Sequence, residues 1–113
     1  MPQMIARIPL TILNGASLSN AVPLFGGLLS VIEMPAAWTA ATLTFQTSGD
    51  NVNFFNVYDE LGTEVSSLAD AARRIRLEPS QWAAISQIKI RSGTAAVPVA
   101  QGAERILYIE LWE

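Results

Sequence analysis

The chain has no cysteine and no histidine among its 113 residues. Without cysteine there is no disulfide framework, so stability must come from packing or from assembly. Without either residue there is no imidazole base, no thiolate nucleophile and no zinc site of the usual kind. Charge is scarce as well: 15% of the residues are Asp, Glu, Lys or Arg, against about 25% in an ordinary soluble domain. Seven basic and 10 acidic residues leave a net charge of −3, which argues against the basic face a nucleic-acid binder needs to displace counterions. Long apolar runs are also missing. Arg7, Pro9, Gly26, Gly27 and Glu33 interrupt the apolar stretches, and none reaches the roughly 18 residues of a membrane-spanning helix. The opening residues lack a basic region followed by an apolar core and a cleavage site, so the expectation is no secretory signal and synthesis in a cytoplasm.

What is plentiful is apolar surface, at half of all residues. A chain of this length supports one domain with one core, here expected to span residues 1–113. The surplus either fills that core tightly or is covered by another subunit, because obligate interfaces resemble a core cut in half.

The apolar residues recur with period two, which is the signature of strands with one greasy face. Met4 to Leu13 alternates, and Pro9, which cannot donate a ladder hydrogen bond, places this strand at a sheet edge or at a bend. Asn14-Gly15 supplies a tight turn. Ala16 to Pro23 is small and polar and reads as a connection, and Leu28 to Met34 resumes as a strand. In Thr42 to Ser48, Leu43 and Phe45 point inward while Thr42, Thr44 and Gln46 face water. Phe54 to Asp59, Arg73 to Glu78, Ser86 to Ser92 and Ala103 to Trp112 are further strands, and Ser80 to Ile85 is a short helix behind Pro79. The expected fold is all-β: a single antiparallel β-sandwich, jelly-roll-like, of about eight strands with one short helical turn.

Few groups could carry chemistry. Asp50, Asn51, Asn53 and Asp59 bracket a hairpin and could offer oxygen ligands to calcium, but their spacing is not that of an EF-hand, and Asn and Asp are what turns require. Asp59 and Glu60 are adjacent and point to opposite faces of a strand, so they do not converge on a sugar bond. Lys89 and Arg91 read as the polar outside of a half-buried strand, paired across it with Glu110. Arg73, Arg74 and Arg76 read as a solvated or salt-bridged strand face. Trp38, Trp82 and Trp112 are the aromatics that could stack on sugars, with Trp82 assigned to the core. No catalytic residue, metal or cofactor is implied, and the expectation is a structural or binding module, not an enzyme.

Several tracts carry a resemblance. These are Leu43-Thr44-Phe45-Gln46-Thr47-Ser48 with Gly49-Asp50 and Phe54, Val57-Tyr58-Asp59 with Gly62-Thr63-Glu64-Val65, Ile75-Arg76-Leu77-Glu78-Pro79 with Trp82, and Ile88 to Thr94 followed by Val97-Pro98-Val99-Ala100-Gln101. Over residues 41 to 112 the chain resembles small β-sandwich structural proteins of tailed bacteriophages. That resemblance implies a virion component, made in the host cytoplasm, of the capsid decoration (cement) type. Its implied partners are the major capsid protein and copies of itself, with no nucleic acid and no membrane. The alternative is a carbohydrate- or receptor-binding module of a tail or fibre; the chain also resembles discoidin-like sandwiches through Phe45, Ser48, Asp50, Phe54 and Tyr58, but it is short for that fold. The expected contact segments are Met1 to Arg7, Pro23 to Leu29 and Gly93 to Gly102, with Met4, Ile5, Arg7, Leu24, Phe25, Leu28, Val97, Val99 and Trp112 as candidate interface residues.

Overall fold

Alternating side chains become strands only when each finds a partner, and the pairing of this chain follows one rule. The computed structural model describes residues 3–113, and among them the backbone forms β1 (Met4–Ile12), β2 (Val22–Pro23), β3 (Leu28–Glu33), β4 (Leu43–Ser48), β5 (Phe55–Asn56), β6 (Ser66–Ser67), β7 (Arg74–Arg76), β8 (Gln87–Ser92) and β9 (Arg105–Trp112). Met1 and Pro2 of the expected N-terminal contact segment lie outside the described residues. Strands β1 and β9, β2 and β8, β3 and β7, and β4 and β5 are antiparallel pairs, so the two halves of the chain form a four-rung ribbon. Two further pairings, β3 with β9 and β4 with β8, roll the ribbon up. The result is two sheets, ordered β1-β9-β3-β7 and β2-β8-β4-β5, with the short β6 beside β5 on the edge of β4. An eight-stranded ribbon rolled in this way is a jelly roll.

The inward faces of the two sheets meet in a single core. Leu10 and Ile12 of β1, Leu29 and Ile32 of β3, and Leu107, Ile109 and Leu111 of β9 face Leu43 and Phe45 of β4 and Ile88 and Ile90 of β8, all fully buried. Burying each such side chain is worth about 1.5–3 kcal/mol. Trp82 closes one side of this core, its ring edge-on to Phe45 at 4.6 Å between centroids. Strand β1 lies at a sheet edge, where Pro9 is tolerated.

Several expected elements differ, each for a local reason. The tract expected to be a plain connection contains β2, whose pairing is extended by Ser19: its N–H donates to the Ile90 carbonyl and its Oγ accepts from the Ile90 N–H. The strand expected over Phe54 to Asp59 is only β5, because the Asp59 carboxylate takes the backbone N–H groups of Leu61 and Thr63 and turns the chain. The short helix is a 3-10 turn over Pro79–Trp82 that ends as Ala83 returns to extended backbone.

The largest departure lies on the outer face of the β2-β8-β4-β5 sheet. Thr44 and Arg91 were expected to meet water, yet they are 0% and 6% exposed. The chain between β5 and β7 folds over them and brings in Glu64. The Arg91 guanidinium donates to Glu64 Oε2 at 2.8 Å, to Asn56 Oδ1 at 2.8 Å and, through Nε, to Thr44 Oγ1 at 2.9 Å. Arg91 therefore does not pair with Glu110, which belongs to the other sheet. The Thr44 hydroxyl in turn donates a hydrogen bond to the Gly93 carbonyl at 2.7 Å.

Two stability predictions follow from this covered face. Glu64→Ala leaves the Arg91 charge buried without its partner and should cost about 3 kcal/mol in chemical denaturation. The double variant R91M/E64L should lose less than that single change. Gly93 has φ +90°, and a Cβ there would stand 2.6 Å from the Val97 carbonyl oxygen and 2.7 Å from the Val99 nitrogen. Gly93→Ala should thus cost about 2–4 kcal/mol by the same assay, because the atoms it would meet are backbone and cannot swing aside.

Candidate functional site

The two ends of the sandwich are built differently, and the difference identifies the candidate contact surface. At one end, the loops after β1, β3 and β8 are tied by a single buried amide. Gln101 Nε2 donates to the Thr39 carbonyl at 3.0 Å and to Ser92 Oγ at 2.7 Å, while its Oε1 accepts from Thr39 N–H and Arg105 Nε. The backbone of Gln101 also bonds Gly15 and Ala16. Val97 and Val99 sit in the loop between β8 and β9 at this end, the first 68% exposed and the second half-buried.

At the opposite end the apolar candidates come together. Register pairs Met4 and Leu28 with Trp112 from either side. Ile5 bulges out of the β1 ladder and its Cδ1 would lie 2.9 Å from a Cβ at Gly27, so it rests on the turn that carries Phe25. Met4, Ile5 and Phe25 are 48%, 42% and 65% exposed, and Leu28 and Trp112 are half-buried. Leu24 is a correction: it is fully buried in the core and offers nothing to a partner. A groove of about 420 Å³ runs beside Phe25, lined by Gly26, Gly27, Leu28, Ala84, Ile85 and Ser86. The Ala84 to Ser86 side of that groove was not foreseen, because only the fold brings it next to the β2–β3 turn.

Between the two ends, the outer face of the β1-β9-β3-β7 sheet is open and carries an ion-pair lattice. Cross-strand register places Arg7 beside Glu110, and Glu33 between Tyr108 and Arg74. Arg74 bonds Glu110 at 2.7 Å and Glu33 at 2.9 Å, and Arg7 bonds Glu33 while its guanidinium stacks 3.8 Å above the Tyr108 ring. Arg7 is therefore partly spoken for within its own domain. Desolvation works to raise the Glu33 pKa, but the hydrogen bonds from Arg7 and Arg74 outweigh it and hold the carboxyl below its ordinary 4.5. Arg74 is raised in turn, chiefly by its bond to Glu110 and then by Glu33. Arg73 pairs with Asp70 at 3.4 Å, as expected of a salt-bridged face.

The remaining polar candidates serve the fold. Asp50 accepts from the backbone N–H groups of Asn53 and Val52, from the Asn53 amide and from Ser48 Oγ, and these bonds, led by Asn53, hold its carboxyl well below the usual carboxylate range. The three tryptophans form no common platform: Trp82 is core, Trp38 bonds Ala41 in the β3–β4 loop, and Trp112 lies on β9. Among the aromatics that line a cleft, Tyr58 is the most exposed, at 53%, next to Asp59, Glu60, Thr63 and Gln81 in a depression of about 570 Å³ that the buried Trp82 also lines. Compared with known proteins, the chain matches no family model and no curated protein sequence.

The Glu33 carboxylate carries a pH prediction. Its pKa is lower in the folded than in the unfolded chain, so its pairing stabilises the protein above about pH 4.5, and that contribution is lost as pH falls through the folded value. Melting curves should place wild type above Glu33→Gln at pH 7, with the gap narrowing as pH is lowered progressively below about 4.5. A gap that stays constant across that range would remove the assignment.

Proposed function

We propose that this protein is a structural component of a tailed-bacteriophage virion, a capsid decoration protein that stabilises the head by bridging neighbouring capsomers. The observation that carries the reading is the gathering of Met4, Ile5, Phe25, Leu28 and Trp112 at one end of a rigid sandwich. Its support is threefold: the resemblance over residues 41 to 112, a jelly-roll fold of the kind used by many capsid proteins, and a chain poor in charge and rich in apolar surface. In this reading the protein acts by covering apolar surface on the shell, with the Gln101-tied end facing outward. Each contact is modest, and repetition over an icosahedral lattice makes the layer durable through avidity.

The Tyr58 cleft favours a second reading, a carbohydrate- or receptor-binding module of a tail or fibre, with Tyr58 in place of the tryptophans as the stacking ring. One comparison separates the two. Purified expanded heads of the phage should bind the protein and melt at higher temperature once coated, and the double variant M4D/I5D should bind at least tenfold more weakly with its own fold intact. Glycan-array binding abolished by Tyr58→Ala, with no affinity for heads, would replace the cement reading with the fibre module.

A further inference from the structure

We infer that Asn14-Gly15 is a self-modification site, at which the Gly15 backbone nitrogen converts Asn14 to aspartate or isoaspartate, and that a hydrogen bond to Gln101 holds the reaction back in the native fold. The site lies at the Gln101-tied end, away from the proposed contact surface. Its chemistry needs only the pair itself and water. The Gly15 amide nitrogen, once it has given its proton to hydroxide, attacks Asn14 Cγ. A new C–N bond closes a five-membered succinimide, and the side-chain nitrogen takes up a proton and leaves as ammonia. Water then opens one of the two imide carbonyls, giving aspartate or, with the chain routed through the side chain, isoaspartate. Of the five asparagines only Asn14 precedes glycine, since Ala, Val, Phe and Val follow Asn20, Asn51, Asn53 and Asn56. A side chain on the following residue crowds the closing ring, and glycine has none. Asn14 is exposed, and a Cβ at Gly15 would meet nothing within 4 Å.

The fold restrains the nucleophile. Leu13 to Ala16 form a turn closed by the Ala16 N–H donating to the Leu13 carbonyl at 2.9 Å, with Gly15 at φ 81°. Within that turn the Gly15 N–H donates to the Gln101 carbonyl at 2.8 Å, and the Gln101 N–H donates to the Ala16 carbonyl at 3.0 Å. A hydrogen bond from the neutral N–H favours the form that cannot attack. Reaction therefore waits for this two-bond tie to open. What keeps Gln101 in place is its side chain, 1% exposed, whose amide bonds Thr39, Ser92 and Arg105. Opening of such a loop cluster is a local event that does not require the whole domain to unfold. Closure afterwards does not restore the starting state. Isoaspartate lengthens the main chain by one carbon inside the tie, and either product adds a negative charge to a chain already at −3.

Peptide mapping by mass spectrometry, with detection of isoaspartate, follows the reaction in the full chain held in mildly alkaline buffer. Asn14 should convert at least about tenfold faster in the urea-unfolded chain than in the native one, because the native tie must open first. Gln101→Ala should raise the native rate at Asn14 by about tenfold, whereas Glu64→Ala, which weakens the protein at the covered face, should leave it within about twofold of wild type. Ser92→Ala removes one bond to the same amide. It should raise the rate by a smaller factor, and it stands in for Gln101→Ala if that variant does not fold. The converted protein should separate from the rest by anion exchange and melt at a lower temperature. Equal rates in the native and unfolded chain overturn the inference, as does faster conversion at another asparagine. So does a Glu64→Ala acceleration that matches Gln101→Ala, since the site would then open only with the whole domain. A Ser92→Ala rate equal to wild type, or a converted protein that melts like the unmodified one, has the same consequence.

Discussion

The docking of β9 between β1 and β3 is the constraint on which the rest of the molecule depends. It joins the last strand of the chain to the first on one side and to the third on the other, over eight residues. Its alternation then determines two surfaces at once. Leu107, Ile109 and Leu111 enter the core, while Tyr108, Glu110 and Trp112 appear on the outer face. There Glu110 and Tyr108 collect Arg7, Arg74 and Glu33 into one lattice, and Trp112 receives Met4 and Leu28 at the apolar end. A one-residue slip would exchange the two sets and destroy both.

The two sheets solve the problem of their outer faces in opposite ways. On the β2-β8-β4-β5 side, the excursion between β5 and β7 covers Thr44 and Arg91, and burial of the guanidinium is tolerated because Glu64, Asn56 and Thr44 take its donors. Buried charge is costly unless every donor is matched, so that cover is tied to one geometry. On the β1-β9-β3-β7 side, Glu110 is buried too, but Arg7, Arg74 and Glu33 remain near water and the charges pair laterally, so that a network fixes the side chains in place. The ends differ in the same manner. Gln101 ties three loops at one end, whereas the other keeps a strained turn, exposed apolar side chains and a charge-free groove. Under the proposed reading, the molecule has one finished end and one end completed by assembly.

Much of this was legible in the chain and some of it was not. The period-two runs announced the strands and the all-β sandwich, and Pro9 announced an edge, because alternation and a missing N–H are properties of the segment itself. Met4, Ile5, Phe25, Leu28 and Trp112 were legible as contact candidates, though nothing local told that they share one end while Val97 and Val99 lie at the other. Leu24 was misplaced because its neighbours Pro23 and Phe25 suggested a loop, and a loop residue can still point into the core. Lys89 and Arg91 looked like an outer face, since no local signal says that a distant segment will return to cover it.

The amino-acid sequence by itself determined the long strands and their apolar inward residues, the absence of thiol and imidazole chemistry, and the excess of apolar over charged residues. Those are consequences of side-chain identity and spacing along a few neighbouring residues. Only the tertiary structure decided that Arg91 pairs with Glu64 and Glu110 with Arg74, that Ala84 to Ser86 line one groove with Gly26 to Leu28, and that the tryptophans stand apart. Each of these depends on which strands become neighbours when the ribbon rolls, and that choice is made by the sum of contacts across the whole core rather than by any one segment.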